Sequence, residues 1–341
     1  MFIVNSYTLA VILCFVIMLC WGSWGNTQKL AARNWRYELF YWDYVIGIVI
    51  FSLILAFTLG SFGSEGRPFC QDIAQADAVN ILWLLVGGVI FNAANILLSA
   101  STSIAGMSVA FPLGCGIALV LGVVNNLIVE AGQGALTSNV PLLAIGVALV
   151  VIAVVLNGVA SGMKGGNLVS KSDQRKGIIL AVVAGVVMSF FSSFVMRAMD
   201  LKDFANPEAG KVTPYTAIVV YSVGVFLSNL IFNTIVMKKP FVGEPVTYRQ
   251  YFKDGNARTH LVGMLGGCIW CLGTALSYIT AGKAGAAVSY ALGQGGPMVA
   301  AIWGVFIWKE FKGAKKGVYG LLAAMFCFFI AGLATIVAAG M

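Results

Sequence analysis

The chain has 341 residues, of which 60% are apolar and only 10% are charged. Soluble domains average about 25% charged residues, so this composition excludes an ordinary soluble protein and indicates a chain that lies largely within a membrane. The net charge of +8 does not indicate a nucleic-acid partner, because the lysines and arginines fall in short gaps between apolar runs, where they set membrane topology.

Ten apolar segments follow one another along the chain, and each is long enough to cross a hydrocarbon core of about 30 Å. Because backbone groups inside lipid must satisfy their own hydrogen bonds, each segment is predicted to be helical. The predicted helices cover residues 7–27, 37–62, 79–100, 107–129, 141–161, 176–198, 213–237, 260–281, 285–308 and 316–339. The sequence therefore predicts an all-α membrane protein with ten transmembrane helices.

The two halves of the chain resemble each other. A shift of 179 positions aligns residues 87–120 with 266–299, and eleven of the 34 positions are identical, five of them glycines. We therefore predict two five-helix repeats, residues 1–165 and 166–341, within one membrane domain. Since five is odd, the repeats enter the membrane from opposite sides, which is the inverted architecture that many secondary transporters use for alternating access.

The distribution of basic residues predicts the orientation of the chain. The gaps on one side of the membrane hold 16 lysines and arginines, and the termini and the remaining gaps hold 5. Because cytoplasmic loops carry the excess of positive charge, both termini are predicted to lie outside the cytoplasm. The membrane would be a bacterial inner membrane or a plasma membrane.

The first helix ends in the segment CWGSWGNTQK, residues 20–29. A shift of 170 positions lays WGSW on FSSF and gives the pairs Trp21/Phe191, Ser23/Ser193 and Trp24/Phe194. Two interpretations stay open. Aromatic rings near a helix end are typical of the membrane interface, or the tryptophans form the walls of a solute cavity, where a sugar ring can stack on them.

Two acidic residues, Glu38 and Asp43, stand at the inner end of the second helix. Carboxylates inside membranes often belong to proton relays, so both are candidates for coupling transport to a proton. The alternative is a surface ion pair with Lys29, Arg33 or Arg36. The later acidic residues Glu130 and Glu310 are interpreted as lying at helix boundaries. His260, at the start of the eighth helix, is interpreted as lying at the membrane interface.

Helices three and eight carry matching polar positions. Asn92, Asn95 and Ser99 follow the spacing i, i+3 and i+7, which places them on one helix face. Their repeat mates on helix eight are Cys271, Thr274 and Tyr278. These faces either line a cavity or form hydrogen bonds between helices.

Helices four and nine bring FPLGCG at 111–116 and YALGQGGP at 290–297. Proline and clustered glycines weaken a helix where a cavity is lined, although small residues also allow close helix packing. Tyr290 and Gln294 are predicted to contact solute. Most of the predicted helices hold no charged residue, and an isolated charge in lipid is costly, so the solute is expected to be polar and uncharged.

Several segments carry a resemblance to a known group of transporters: LAFTLGSFGS at 55–64, the run at 87–122, and GMLGGCIWCLG at 263–273 with the run at 281–311. The chain resembles the drug/metabolite transporter superfamily, within it the branch of glucose and rhamnose porters and ureide permeases. The resemblance implies ten helices and transport of small polar solutes driven by a proton or sodium gradient. Plant ureide permeases carry a long central cytoplasmic insert that this chain lacks, whereas the bacterial sugar porters have a similar length.

The sequence thus predicts a secondary permease for uptake of a monosaccharide, with a ureide or nucleobase such as allantoin or uracil as the alternative solute. A membrane enzyme is disfavoured because the core lacks a cluster of His, Asp and Glu. The expected partners are the solute, a coupling proton or sodium ion and membrane lipid, with no cofactor, metal or nucleic acid, and the oligomeric state stays open. The residues predicted to bind solute are Trp21, Ser23, Trp24, Asn92, Asn95, Ser99, Ser193, Trp270, Thr274, Tyr278, Tyr290 and Gln294.

Overall fold

The computed structural model describes residues 1–31, 35–105, 107–163 and 171–341, and no β-strand occurs in them. Ten helical spans in these residues are long and apolar enough to cross a membrane, so the predicted all-α fold and the number of spans are confirmed. Two earlier predictions fall outside the described residues: Arg33 as an ion-pair partner, and the boundary between the repeats at 165–166.

The spans are numbered 1 to 10 in chain order. They cover Tyr7–Leu30, Tyr37–Phe57, Ala78–Thr102, Pro112–Gln133, Val140–Met163, Arg175–Ala198, Pro214–Lys238, Ala257–Ala284, Ala286–Ile307 and Lys316–Ala339. Two short helices, Phe69–Gln75 and Tyr248–Asp254, lie outside the spans.

Span 2 ends at Phe57 rather than at residue 62. The side-chain hydroxyl of Thr58 donates to the carbonyl of Ile54 at 2.6 Å, and that of Ser61 donates to the carbonyl of Ala56 at 2.7 Å. These bonds satisfy carbonyls that the last turn of a helix leaves without partners. Gly63 then takes a positive φ of 138°, a conformation that turns the chain away and that glycine adopts readily.

The sequence predicts span 9 as one continuous helix, but the structure divides it into three segments. These are Ala286–Gly293, Gly296–Ile302 and a π-helical turn at Trp303–Ile307. The first break falls in the run GQGGP, where glycines weaken the helix and proline removes a backbone donor. Span 1 breaks at Trp24, and span 6 breaks between Met188 and Phe191.

Spans that correspond to each other in the two predicted repeats have corresponding packing partners. Span 3 packs against spans 6 and 7, span 8 packs against spans 1 and 2, and span 5 packs against span 10. A Cβ atom at Gly88 would collide with the backbone of Tyr221, and one at its repeat mate Gly267 would collide with the backbone of Tyr44. Glycine is therefore needed for both close helix approaches. This pattern supports the two-repeat arrangement, which stays a prediction.

Charged side chains gather at the two ends of the bundle. At the end that we expect to face the cytoplasm, Lys29 pairs with Glu310 at 2.6 Å. At the opposite end, the guanidinium of Arg67 pairs with the buried carboxylate of Asp72 at 3.0 Å.

Cys70 offers a direct test of the orientation. It is exposed and lies outside the spans on the short helix Phe69–Gln75, at the end that we place outside the cytoplasm. A membrane-impermeant maleimide is therefore expected to label Cys70 on intact cells, and the variant Cys70→Ser removes that signal. Labelling of Cys70 that needs permeabilised cells would reverse the assigned orientation.

Candidate functional site

A cavity of about 130 Å³ lies between spans 1, 3, 4, 6, 8 and 9. This volume is well below the roughly 300–1,000 Å³ of pockets for drug-sized ligands, so it suits a small solute. Five of the twelve predicted solute-binding residues line it: Trp21, Trp24, Asn95, Trp270 and Gln294. Among the described residues, no charged side chain lines this cavity.

The breaks in three spans meet at the cavity. Trp24 at the break in span 1, Met188 and Phe191 at the break in span 6, and Gln294 at the break in span 9 all line it. Membrane proteins tolerate broken helices where the freed backbone is buried in protein or lines a cavity. Secondary transporters place their solute sites at such breaks.

Aromatic rings form much of the cavity wall. The indole of Trp21 packs where Gly273 and Gly293 leave room for it, and its Nε1 donates to Oγ1 of Thr274 at 3.3 Å. The ring of Trp270 lies 4.4 Å from that of Phe91, measured between centroids. Trp21 and Trp24 of the WGSW segment thus line this cavity, and their contact with solute stays a prediction.

Two carboxamides supply polar groups to the cavity. Asn95 donates through Nδ2 to the Tyr41 hydroxyl at 3.1 Å. The side chain of Gln294 lies beside the Tyr290 hydroxyl, which donates to the carbonyl of Ala118 at 3.1 Å. A carboxamide both donates and accepts hydrogen bonds, so Asn95 and Gln294 can pair with a solute that carries both kinds of group.

Asn92 and Ser99 share a helix face with Asn95 but lie outside the cavity lining. The fully buried Asn92 accepts from the Tyr41 hydroxyl at 2.9 Å and donates to Oγ of Ser228 at 2.9 Å. Ser99 donates to the Tyr37 hydroxyl at 2.8 Å. In this structure both residues form hydrogen bonds between helices, which was the alternative interpretation of this face.

The other predicted solute residues are not among those that line the cavity. Oγ of Ser23 accepts from Nε1 of Trp303 at 2.9 Å, and Oγ of Ser193 donates to the carbonyl of Phe190 at 2.9 Å. Thr274 holds the Trp21 indole. Tyr278 and Tyr290 are buried. Any contact of these residues with solute stays a prediction.

Asp43 lies in a buried cluster near one end of span 2. Its Oδ1 lies 2.8 Å from Nδ1 of His260 on span 8 and accepts a hydrogen bond from the Tyr251 hydroxyl. Its Oδ2 accepts from Nε1 of Trp35 at 3.2 Å. Burial, and then the hydrogen bond and charge of Asp43, raise the pKa of Tyr251 above its ordinary value, so this phenol keeps its proton and donates to the carboxylate.

The two coupling candidates therefore differ in their surroundings. Glu38 pairs with Arg36, at 2.6 Å between Oε1 and Nη2, whereas Asp43 pairs with a histidine, the side chain whose charge ordinarily changes between pH 5 and 8. Sequence reasoning missed His260 as a partner. A signal was present, since spans 2 and 8 begin on the same predicted side, and Asp43 and His260 each follow shortly after their span begins.

Glu130 lies in the last turn of span 4, which ends at Gln133, so it stands at a helix boundary as the sequence predicts. It is 1% exposed, and its Oε1 accepts from the backbone N–H groups of Ala286 and Ala287 at the start of span 9. Gly285 precedes them with a φ of 84°.

No group of three or more His, Cys, Asp or Glu side chains that could hold a metal ion occurs in the part of the chain that the structure describes.

Further residues that line the cavity were not predicted to bind solute: Phe91, Leu98, Cys115, Met188 and Phe191. Phe191 could have been found, because the repeat alignment pairs it with Trp21. Cys115 lies in the run FPLGCG, which the sequence already indicated as a cavity segment. Leu98 and Met188 are apolar residues in apolar helices, so nothing in the sequence separates them from residues that face lipid or other helices.

Comparison with known proteins shows that this chain is similar to permeases. The model of the ureide permease family matches residues 164–339, slightly more than half of the chain. Ureide permease 1 of Arabidopsis thaliana is 24% identical over 99% of this chain and 98% of its own length. A probable ureide permease A3 of Vigna unguiculata is 22% identical over 93% of this chain and 99% of its own. A solved crystal structure of a protein aligns at 15% identity, with a TM-score of 0.59 and coverage of 96% of each chain, and this likeness shows the fold.

Proposed function

Since the chain belongs to the ureide permease family, we propose that it takes up a ureide such as allantoin, or a related nucleobase such as uracil, by alternating access. Membership makes it a multi-pass membrane transporter rather than an enzyme. The observation that carries the proposal is the similarity to ureide permeases over nearly their whole length.

The chemistry of the cavity supports this solute class. Ureides and nucleobases present carbonyl acceptors and N–H donors on compact rings, and the carboxamides of Asn95 and Gln294 can pair with both kinds of group. The aromatic faces of Trp21, Trp24 and Trp270 can cover the ring. The absence of charge from the described lining supports an uncharged solute, because a charged one would need a buried partner.

The comparisons favour this solute over the monosaccharide that sequence analysis put first, since the relatives that match over their length are named ureide permeases. The segments that resemble glucose and rhamnose porters support a wider kinship within the drug/metabolite transporter superfamily. That kinship is part of the proposal, and glucose is the competing solute in its test.

We propose that a proton drives transport and that the Asp43–His260 pair carries this proton. The pair supports this because it joins a buried carboxylate to a half-buried imidazole across two spans.

The distribution of lysines and arginines supports both termini outside the cytoplasm.

Ligand-dependent thermal stabilisation of the purified protein tests the solute class. A ligand that binds the folded state stabilises it by about 2.7 kcal/mol at a concentration of 100 Kd, so allantoin or uracil is expected to raise the melting temperature progressively with concentration. Allantoate, an open-chain ureide that carries a carboxylate, is the matched control and is expected to have no effect. Stabilisation by glucose, with none by allantoin or uracil, would contradict the proposal.

A further inference from the structure

Three buried tyrosines on different spans have hydroxyls that find no hydrogen-bond partner among the described residues: Tyr44, Tyr221 and Tyr278. Their exposed fractions are 0%, 0% and 1%. A hydroxyl that is buried without a hydrogen bond destabilises the fold, and buried polar groups in proteins are nearly always paired. Three such hydroxyls therefore need an explanation.

Other buried tyrosines of the chain follow the general rule. The hydroxyl of Tyr41 donates to Asn92 at 2.9 Å, that of Tyr215 donates to the carbonyl of Phe2 at 3.0 Å, and that of Tyr290 donates to the carbonyl of Ala118 at 3.1 Å. The fold thus supplies partners for these three buried phenols, whereas the surroundings of Tyr44, Tyr221 and Tyr278 supply none among the described residues.

The three tyrosines gather around one segment of span 8. The rings of Tyr44 and Tyr221 each lie 6.2 Å from that of Trp270, and the ring of Tyr278 lies 6.1 Å from that of Tyr221. The unpaired hydroxyls therefore belong to one region.

This region adjoins the cavity. Trp270, which lines the cavity, contacts both Tyr44 and Tyr221. Tyr44 also lies 4.8 Å from the ring of Trp24, and Tyr221 lies 6.0 Å from that of Phe91, and both of these rings line the cavity too. Tyr44 and Tyr221 thus contact rings of the aromatic cavity wall, and Tyr278 contacts Tyr221.

We propose that the hydroxyls of Tyr44, Tyr221 and Tyr278 form a polar subsite that binds the carbonyl and N–H groups of the solute when Trp270 moves aside. A phenol both donates and accepts a hydrogen bond without carrying charge, which matches an uncharged ring with a urea group. Side-chain rotamer changes of this kind are common on binding. The assignment of the solute class rests on the proposed function, whereas the presence of a subsite rests on the unpaired hydroxyls.

The single variants Tyr44→Phe, Tyr221→Phe and Tyr278→Phe test the subsite, because each removes a hydroxyl and keeps the ring. Without ligand, the melting temperature is expected to stay unchanged or to rise, since an unpaired buried hydroxyl is lost. With allantoin as the probe, and uracil in a second series, the affinity is expected to fall by about 5- to 150-fold because solute groups lose a partner.

Tyr215→Phe is the matched control. It removes a hydroxyl that has a partner and lies outside the cavity lining, so it is expected to lower the melting temperature and leave the affinity unchanged. Unchanged affinity in all three test variants, or a lower melting temperature without ligand, would overturn the subsite.

Failure of the proposed function gives a different result. Wild-type protein that is stabilised by neither allantoin nor uracil would contradict the assigned solute class. The melting temperatures of the three test variants without ligand then still decide whether these hydroxyls have structural partners.

Discussion

Replacing Asp43 with asparagine is expected to abolish accumulation of solute against its gradient and to leave exchange of solute across the membrane largely intact. Asparagine matches aspartate in size but cannot take up or release a proton. The inside-to-outside concentration ratio in proteoliposomes should therefore fall to equality under an imposed proton gradient, while counterflow of labelled solute continues.

The surroundings of Asp43 give the physical reason. The carboxylate is fully buried, and its partners His260, Tyr251 and Trp35 come from span 8, the short helix Tyr248–Asp254 and the segment before span 2. Under the proposed coupling, protonation is expected to change the pairing of Asp43 with His260 and so the contacts between these elements. One of them, span 8, also carries Trp270 in the cavity wall.

Glu38→Gln separates the two acidic candidates of span 2. Glu38 pairs with Arg36, and we expect its variant to accumulate solute normally. Normal accumulation by Asp43→Asn would rule out the coupling assignment. Loss of folded Asp43→Asn protein in size-exclusion chromatography would instead show that the pair with His260 maintains the structure.

Alanine at Asn95 or Gln294 is expected to weaken solute binding substantially. Both carboxamides line the cavity, and truncation leaves polar groups of the solute without partners, at a cost of about 1–3 kcal/mol each. This corresponds to roughly 5- to 150-fold in affinity. Titration of the purified variants with allantoin, measured as thermal stabilisation, gives the change in affinity.

Asn92→Ala provides the matched control on the same helix face as Asn95. Asn92 is fully buried between Tyr41 and Ser228 and lies outside the cavity lining. Its truncation is expected to lower the melting temperature and to change the affinity little. If Asn95→Ala and Gln294→Ala behave in the same way as Asn92→Ala, their carboxamides only join helices and the cavity assignment fails.

The sequence predicts those features of the fold that depend on composition and periodicity. Apolar length alone identifies all ten spans, because a lipid environment admits few other structures. Chemical type was enough to select the indoles of Trp21, Trp24 and Trp270 and the carboxamides of Asn95 and Gln294, all of which reach the cavity.

The features that the sequence does not reveal depend on contacts between residues that are far apart in the chain. Helical periodicity places Asn92, Asn95 and Ser99 on one face, but the tyrosines of span 2 that bind Asn92 and Ser99 are far away in sequence. The pair of Asp43 and His260 likewise joins residues 217 positions apart. The run GQGGP favours a weakened helix, but only the packing around Gln294 shows where span 9 breaks.

Uptake of radiolabelled allantoin by proteoliposomes that contain the purified protein tests the central claim most directly. With the outside more acidic than the inside, the account predicts that internal allantoin rises above its external concentration. It also predicts that excess unlabelled uracil competes with this uptake and that excess glucose does not. Accumulation of labelled glucose in the same proteoliposomes, with no accumulation of allantoin or uracil, would contradict the account.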